Sequence, residues 1–258
     1  MRVLKFLLRA LGVLILIAAA LAVWKRDDIA RLMAVNSLFD ADKITANFSH
    51  MDAMFFNRPL DRGTGPVSAL PPGPAMALPP EAEQWVKDRS ITGLVILKGG
   101  QLVHESYYLG TTAEDRRISW SMAKSFLASL FGVVMAEGKI ASLDDPVVKY
   151  APELKGSAYE PDTIRDVLTM SSGVKFNEDY FDFWSDINKM GRVLALGFSM
   201  DGFAEGLKAR DGAPGAKWHY VSIDTHVIGM VIRGATGRGI VDLMNEKIIG
   251  PLGLEAAP

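Results

Sequence analysis

Two places in this chain set a serine three residues before a lysine, Ser121–Lys124 and Ser172–Lys175. A serine hydroxyl is a poor nucleophile until a neighbouring group takes its proton. A lysine one helical turn on can do so, since residues three apart share a helix face. About one such pair is expected by chance in a chain this long, so context has to separate the two. Gly173 follows Ser172 directly and weakens any helical turn joining it to Lys175. Ser121 instead opens a nearly unbroken apolar run, Met122 to Met135, which reads as a helix buried on all sides. Lodged there, Lys124 would be desolvated, which lowers an amine's pKa and makes it a base. The first turn of that helix also offers unpaired N–H groups and a positive dipole end to a developing oxyanion. The competing reading makes Ser121 an ordinary N-cap and Lys124 a solvated surface charge.

A third candidate lies about a hundred residues downstream, in the turn Pro214-Gly215-Ala216-Lys217-Trp218-His219-Tyr220-Val221-Ser222. In lysine-based serine hydrolases a tyrosine hydroxyl next to the lysine relays a proton to the leaving group, and paired with Ser121 and Lys124, Tyr220 becomes the preferred relay. By itself it would read as a half-buried structural tyrosine.

The elements that must carry these residues are visible as pattern. Glu81–Asp88 has helical character, and Ile91–Leu97 and Gln101–Leu109 flank Gly99-Gly100 as a β-hairpin. Pro161–Met170 reads as a short helix with Pro161 in its first turn, ended by Ser171-Ser172-Gly173. Thr225–Ala235 and Ile240–Ile249 read as two more helices, parted by Thr236-Gly237. The stretch Phe176–Ser185 groups Tyr180, Phe181 and Trp184 with Asp179 and Asp182, and reads as a surface loop that could line a cleft.

Composition excludes several classes. A net charge of −2 gives no basic footprint for nucleic acid. With no cysteine there is no disulfide, thiolate zinc site or catalytic thiol. The four histidines, His50, His104, His219 and His226, lack the spacing of a helical metal pair, so no metal or cofactor is expected.

In order along the chain, Ser119-Trp120-Ser121-Met122-Ala123-Lys124-Ser125, Leu168-Thr169-Met170-Ser171-Ser172-Gly173, Pro214–Ser222 with Ile228-Gly229, and Pro251-Leu252-Gly253-Leu254 resemble one family. It is that of the penicillin-binding-protein-like serine hydrolases, which includes class C β-lactamases, D-alanyl-D-alanine carboxypeptidases, esterases and nylon-oligomer (aminohexanoate-dimer) hydrolases. The resemblance implies an α+β fold in which an antiparallel sheet, begun by the N-terminal hairpin, accompanies a mainly helical body. It implies Ser121 as acylated nucleophile, Lys124 as base, Tyr220 as relay and a small amide or ester as substrate. Ser222 stands in a substrate-binding position where β-lactamases usually carry asparagine, which is similar to the nylon-oligomer hydrolase and esterase branch. The family's third motif, Lys/His-Thr/Ser-Gly, is expected some way beyond Pro251–Leu254, and none stands there before Pro258. The expectation is therefore a domain lacking its C-terminal strands, with one edge of the hairpin open, and little or no activity in these 258 residues.

Two other readings stay in view. One is a non-catalytic binder of peptidoglycan fragments or peptides on the same scaffold, which would have no need of Ser121, Lys124 and Tyr220 together. The other is a Ser-His-Asp hydrolase, but the chain has no G-x-S-x-G elbow, and His219 and His226 read as structural or rim residues.

Three regions follow: 1–28 as signal anchor or signal peptide, 29–80 as a proline-rich arm, and 81–258 as the hydrolase domain. Residues 27–56 could form one or two small helices. Asn57 to Pro80 holds seven of the thirteen prolines (Pro59, Pro66, Pro71, Pro72, Pro74, Pro79, Pro80) and reads as extended. At the N-terminus, Arg2, Lys5 and Arg9 precede an uncharged apolar run from Ala10 to Trp24, closed by Lys25 and Arg26. Counted from Phe6, it approaches the roughly 20 residues that cross a bilayer. It reads as a retained single-pass anchor in the inner membrane with the hydrolase domain on the outer side. Cleavage near Ala22, within Ala20-Leu21-Ala22, is the alternative. The intact chain should stay with membranes during detergent-free extraction; full recovery in the soluble fraction with its N-terminus intact would contradict an anchor.

Overall fold

A computed structural model describes residues 2–258. The first helix, α1 (Arg2–Trp24), is long and apolar enough to cross a membrane, with a mean hydropathy of 2.6 over Val3–Trp24 and none of that window buried. Helix α2 (Arg26–Asn36) follows at once, and the short α3 (Ile44–Asn47) comes next. The arm that continues to residue 80 does not hang free. Leu38 and Met54 are buried in it, and the Arg31 side chain donates to the Ala195 carbonyl at 2.9 Å.

Helix α4 (Pro80–Asp88) leads into the hairpin, β1 (Gly93–Lys98) and β2 (Gln101–Tyr107). The strands pair antiparallel from Gly93↔Tyr107 to Lys98↔Gln101, with a bulge between Ile96 and Leu97. Gly99 and Gly100 turn the chain with φ of 58° and 78°, which is the left-handed geometry a two-residue hairpin needs. The proline-rich arm covers the outer edge of β2: Leu102 donates to the Pro71 carbonyl at 2.9 Å, and Gly73 and Met76 donate to Leu102 and Val103 at 2.8 Å each. Proline suits an edge because it lacks the N–H that a central strand requires. Among the described residues nothing pairs with the outer edge of β1.

The helical body comprises α5 (Met122–Ala136), α6 (Ile164–Leu168), α7 (Asp186–Ala195), α8 (Met200–Gly206), α9 (Ser222–Thr236) and α10 (Ile240–Met244), which runs on through a π turn, Asn245–Ile249. Helix α9 is its axis. Ile223, Val227, Ile228, Met230, Val231 and Ile232 are all buried on it, against Leu130, Phe131 and Val134 of α5 and Ile164 and Val167 of α6.

Two local expectations need correcting. Helix α5 is not buried on all sides: only Leu130, Phe131 and Val134 are, while Met122 and Phe126 are exposed. The body packs around its C-terminal half, and its first turns project past that core with the nucleophile candidate at their head. Helix α6 starts later than Pro161 because Thr163 caps it. The Thr163 hydroxyl accepts from the Asp166 N–H and the Asp166 carboxylate accepts from the Thr163 N–H, a reciprocal pair that fixes the first turn.

Two helical glycines make opposite demands. Gly234 of α9 lies so close to the Tyr150 backbone that a Cβ there would overlap the carbonyl oxygen, whereas around Gly132 of α5 nothing lies within 4 Å. Gly132→Ala should therefore raise the urea midpoint by roughly 0.5–1 kcal/mol of stability, through a less flexible unfolded chain. Gly234→Ala should lower the midpoint; equal effects of the two would refute this packing of α9.

Candidate active site

Ser121 is the residue just before α5, and its hydroxyl makes no capping bond to the helix. It is instead 2.6 Å from the Tyr220 hydroxyl, across 99 residues of sequence. The Lys124 ammonium, one turn into α5, reaches the same Ser121 oxygen at 3.4 Å and lies 5.4 Å from the centre of the Tyr220 ring. Serine, lysine and tyrosine thus converge on one oxygen atom. The Ser121 N–H has no protein acceptor among the described residues, so one backbone donor stands free beside that oxygen. Lys124 is half-buried, and its stem lines a cleft of about 210 Å³ with Leu127, Ala128, Val167, Met170 and Ile228. Ser121 is exposed at the surface.

The backbone entering the site is unusual. Trp120 has φ of 45°, and a bulky residue in that region costs of order 1–3 kcal/mol unless its surroundings hold it there. Met170 has φ of 54° and presents its carbonyl to the His219 N–H at 2.8 Å, while the Gly215 N–H donates to Ser171 at 2.9 Å. The Leu168–Gly173 segment is in this way the support on which the Pro214–Ser222 turn is laid.

Ser222 is buried in the first turn of α9 and faces the Glu178 carboxylate rather than Ser121. Its N–H donates to Glu178, and its hydroxyl reaches the other carboxylate oxygen at 3.2 Å. Glu178 escaped notice in the sequence, where the only signal was its place in the acidic, aromatic stretch after Ser172-Gly173. Beside it, burial and the Glu178 charge raise the Tyr180 hydroxyl above its usual pKa. In the rest of that loop Phe181 is fully exposed, and Trp184 packs edge-on to Phe183 at 4.9 Å beside Arg192.

The second serine–lysine pair is taken apart by the fold. Ser172 is buried and donates to Asp224 at 3.1 Å, and Lys175 is exposed. Neither histidine candidate bonds to Ser121, Lys124 or Tyr220: the His226 ring pairs with Asp201 at 2.8 Å, and the His219 ring reaches the Phe176 carbonyl at 3.5 Å. No group of three metal-ligating side chains occurs among the described residues.

Residues 81–257 match the protein family described as Beta-lactamase. This chain belongs to that family. It is 29% identical over 176 residues to the 6-aminohexanoate-dimer hydrolase of Paenarthrobacter ureafaciens, a match covering 66% of this chain and 44% of that enzyme. It is 24% identical over 123 residues to a D-aminopeptidase of Cereibacter sphaeroides, covering 46% of this chain and 22% of the other. The matched stretches therefore span less than half the length of either relative. A solved structure assigned as a 6-aminohexanoate-dimer hydrolase from Bacillus anthracis superposes with a TM-score of 0.72 at 18% identity, over 85% of this chain and 62% of that one. The beta-lactamase-like fold, a helical body with a small antiparallel sheet, is thereby established.

In this member of the Beta-lactamase family the Tyr220 turn is anchored by a buried carboxylate. Asp224 accepts hydroxyls from Tyr159 at 2.6 Å and Ser172 at 3.1 Å, and burial raises its pKa to about 7. Asp162 nearby is raised by burial to about 6, against the pull of its ion pair with Arg210. A carboxyl whose folded pKa exceeds the unfolded value of about 3.9 keeps its proton longer in the folded state, so its contribution to stability falls as pH rises from about 4 to 7. His226, lowered by burial, acts with the opposite sign, so the difference from a variant is the informative quantity. The Tm advantage of wild type over Asp224→Asn should shrink between pH 5 and pH 7. A constant or growing difference would refute a protonated, buried Asp224.

Proposed function

We propose that this chain is a serine hydrolase of small amides or esters that works through an acyl-enzyme on Ser121. The observation that carries this is the convergence of the Tyr220 hydroxyl, at 2.6 Å, and the Lys124 ammonium, at 3.4 Å, on the Ser121 oxygen. Two proton-transfer groups on one hydroxyl suit a nucleophile and are superfluous in a binding protein.

In this reading, Ser121 Oγ attacks the substrate carbonyl carbon, and its proton passes to Lys124 in the unprotonated form. The carbonyl oxygen becomes an oxyanion, which the free Ser121 N–H is placed to stabilise. On collapse, the carbon–nitrogen or carbon–oxygen bond breaks, and the proton reaches the departing amine or alcohol through the Tyr220 hydroxyl. Water then adds to the acyl carbon, with the same groups taking and returning its proton, and Ser121 is released. Ser222, the substrate-binding candidate, spends its N–H and hydroxyl on Glu178, so it would act by holding that carboxylate. The relatives named as a dimer hydrolase and an aminopeptidase favour an amide as the bond cleaved. With α1 in the inner membrane, the positive residues before the apolar run would keep the N-terminus inside and the catalytic body outside.

A fluorophosphonate should form one adduct, placed on Ser121 by mass spectrometry and lost in Ser121→Ala. Lys124→Ala and Tyr220→Phe should each slow labelling by about a hundredfold or more. An adduct on Ser172, or undiminished labelling of Ser121→Ala, would end this reading in favour of another site or of a binding protein.

A further inference from the structure

The residue that delivers the nucleophile is held by a part of the chain outside the matched family region. Residues 81–257 match the family, yet the packing around Trp120 comes from residues 37–49 of the arm. Phe39 stacks on Trp120 with centroids 5.8 Å apart and planes at 20°, and Phe48 meets the same ring edge-on at 5.3 Å. The backbone just before it is tied down as well. The Ile118 N–H donates to the Phe48 carbonyl at 2.9 Å, and the Arg117 guanidinium donates to the Thr45 carbonyl at 2.6 Å and the Ser49 hydroxyl at 2.7 Å. Arg117 also lies 5.9 Å from the Phe48 ring centre. On its other side Phe39 meets Tyr180 edge-on at 6.4 Å, next to the carboxylate that holds Ser222.

We propose that residues 37–49 form a clamp, with Phe39 and Phe48 as positioning residues, that holds Trp120 in its left-handed conformation and so sets Ser121 toward Lys124 and Tyr220. A tryptophan at φ of 45° keeps that conformation only while its ring is held. The indole is held on two sides by arm aromatics, and the chain just before it is held through the Ile118 N–H on the Phe48 carbonyl and the Arg117 side chain on the Thr45 carbonyl. If Trp120 relaxed, the peptide leading into Ser121 would rotate, and a displacement of about 1 Å at a reacting atom can cost a hundredfold in rate. The clamp follows α2 directly, and α2 follows α1, so the segment that would anchor the protein in a membrane is continuous with the segment that shapes its nucleophile.

The clamp rests on Ser121 being the reactive serine, and the test separates the two ideas. The full chain is labelled with a fluorophosphonate, and the maximal rate of inactivation is resolved from reagent affinity. Phe39→Ala should lower the maximal rate about ten- to a hundredfold with affinity little changed. Phe39→Tyr, which keeps the stacked ring, should restore it. Phe56→Ala removes an arm aromatic that packs on Arg31 and Gly197, away from the site, and should leave the rate within about twofold. Because the chain has no cysteine, Ser121→Cys installs a single thiol whose alkylation by iodoacetamide reads the same position without any hydrolysis. That rate too should shift in Phe39→Ala and return in Phe39→Tyr, with the melting curve still cooperative. Both rates unmoved by Phe39→Ala, or moved equally by Phe56→Ala, overturn the clamp. A wild-type chain that takes no fluorophosphonate, while alkylation of Ser121→Cys still responds to Phe39→Ala, would refute the hydrolase and keep the clamp.

Discussion

A carboxylate with almost no access to water stands where three stretches of this chain meet. Asp224, in the first turn of α9, receives the hydroxyls of Tyr159 and Ser172 on one oxygen, while its second oxygen has no partner. Arg210 extends the same network, bonding Asp162, the Ala158 carbonyl and the Ser172 carbonyl. A buried charge is expensive unless paired, and burial here drives the carboxyl toward its neutral form. Such a network tolerates few alternative arrangements, because each member that moves leaves another unsatisfied. It therefore fixes the start of α9 against the Leu168–Gly173 segment, and Tyr220 and Ser222 sit on that start.

From this fixed point the site is assembled by two helices packed against each other. Helix α5 brings Ser121 and Lys124 on consecutive turns; α9 and the turn before it bring Tyr220. The contact between them is apolar and lies deeper in the body, at Leu130, Phe131 and Val134 against Val227, Val231 and their neighbours. The polar end of the same pair is open, and there Lys124 reaches Ser121 and lines a cleft with Leu127 and Ala128.

The arm is packed into the folded domain rather than set beside it. Residues 71–76 complete the edge of β2, Arg31 and Phe56 dock against α7 and the loop that follows, and Phe39 and Phe48 close on Trp120. These contacts join residues before the family region to the body at three separate places. An arm rich in proline is in the folded protein packed against the residue that precedes Ser121.

What the amino-acid order alone determined was local. The apolar run of α1, the Gly99-Gly100 hairpin and the serine–lysine spacing each follow from propensity, turn chemistry or helical period, which need no partner. The order of motifs along the chain likewise pointed to the family and through it to Tyr220. Only the tertiary structure decided which serine–lysine pair stays together, since Ser172 is separated from Lys175 by a bond to Asp224 across 52 residues. It alone brought Tyr220 to Ser121 across 99 residues, and Phe39 to Trp120. It also showed α5 to be covered on one part of its surface, although most of its sequence is apolar. The physical reason is the same in each case: hydrophobicity says that a side chain seeks burial, but which neighbours bury it depends on how the helices pack, and that is a property of distant residues meeting.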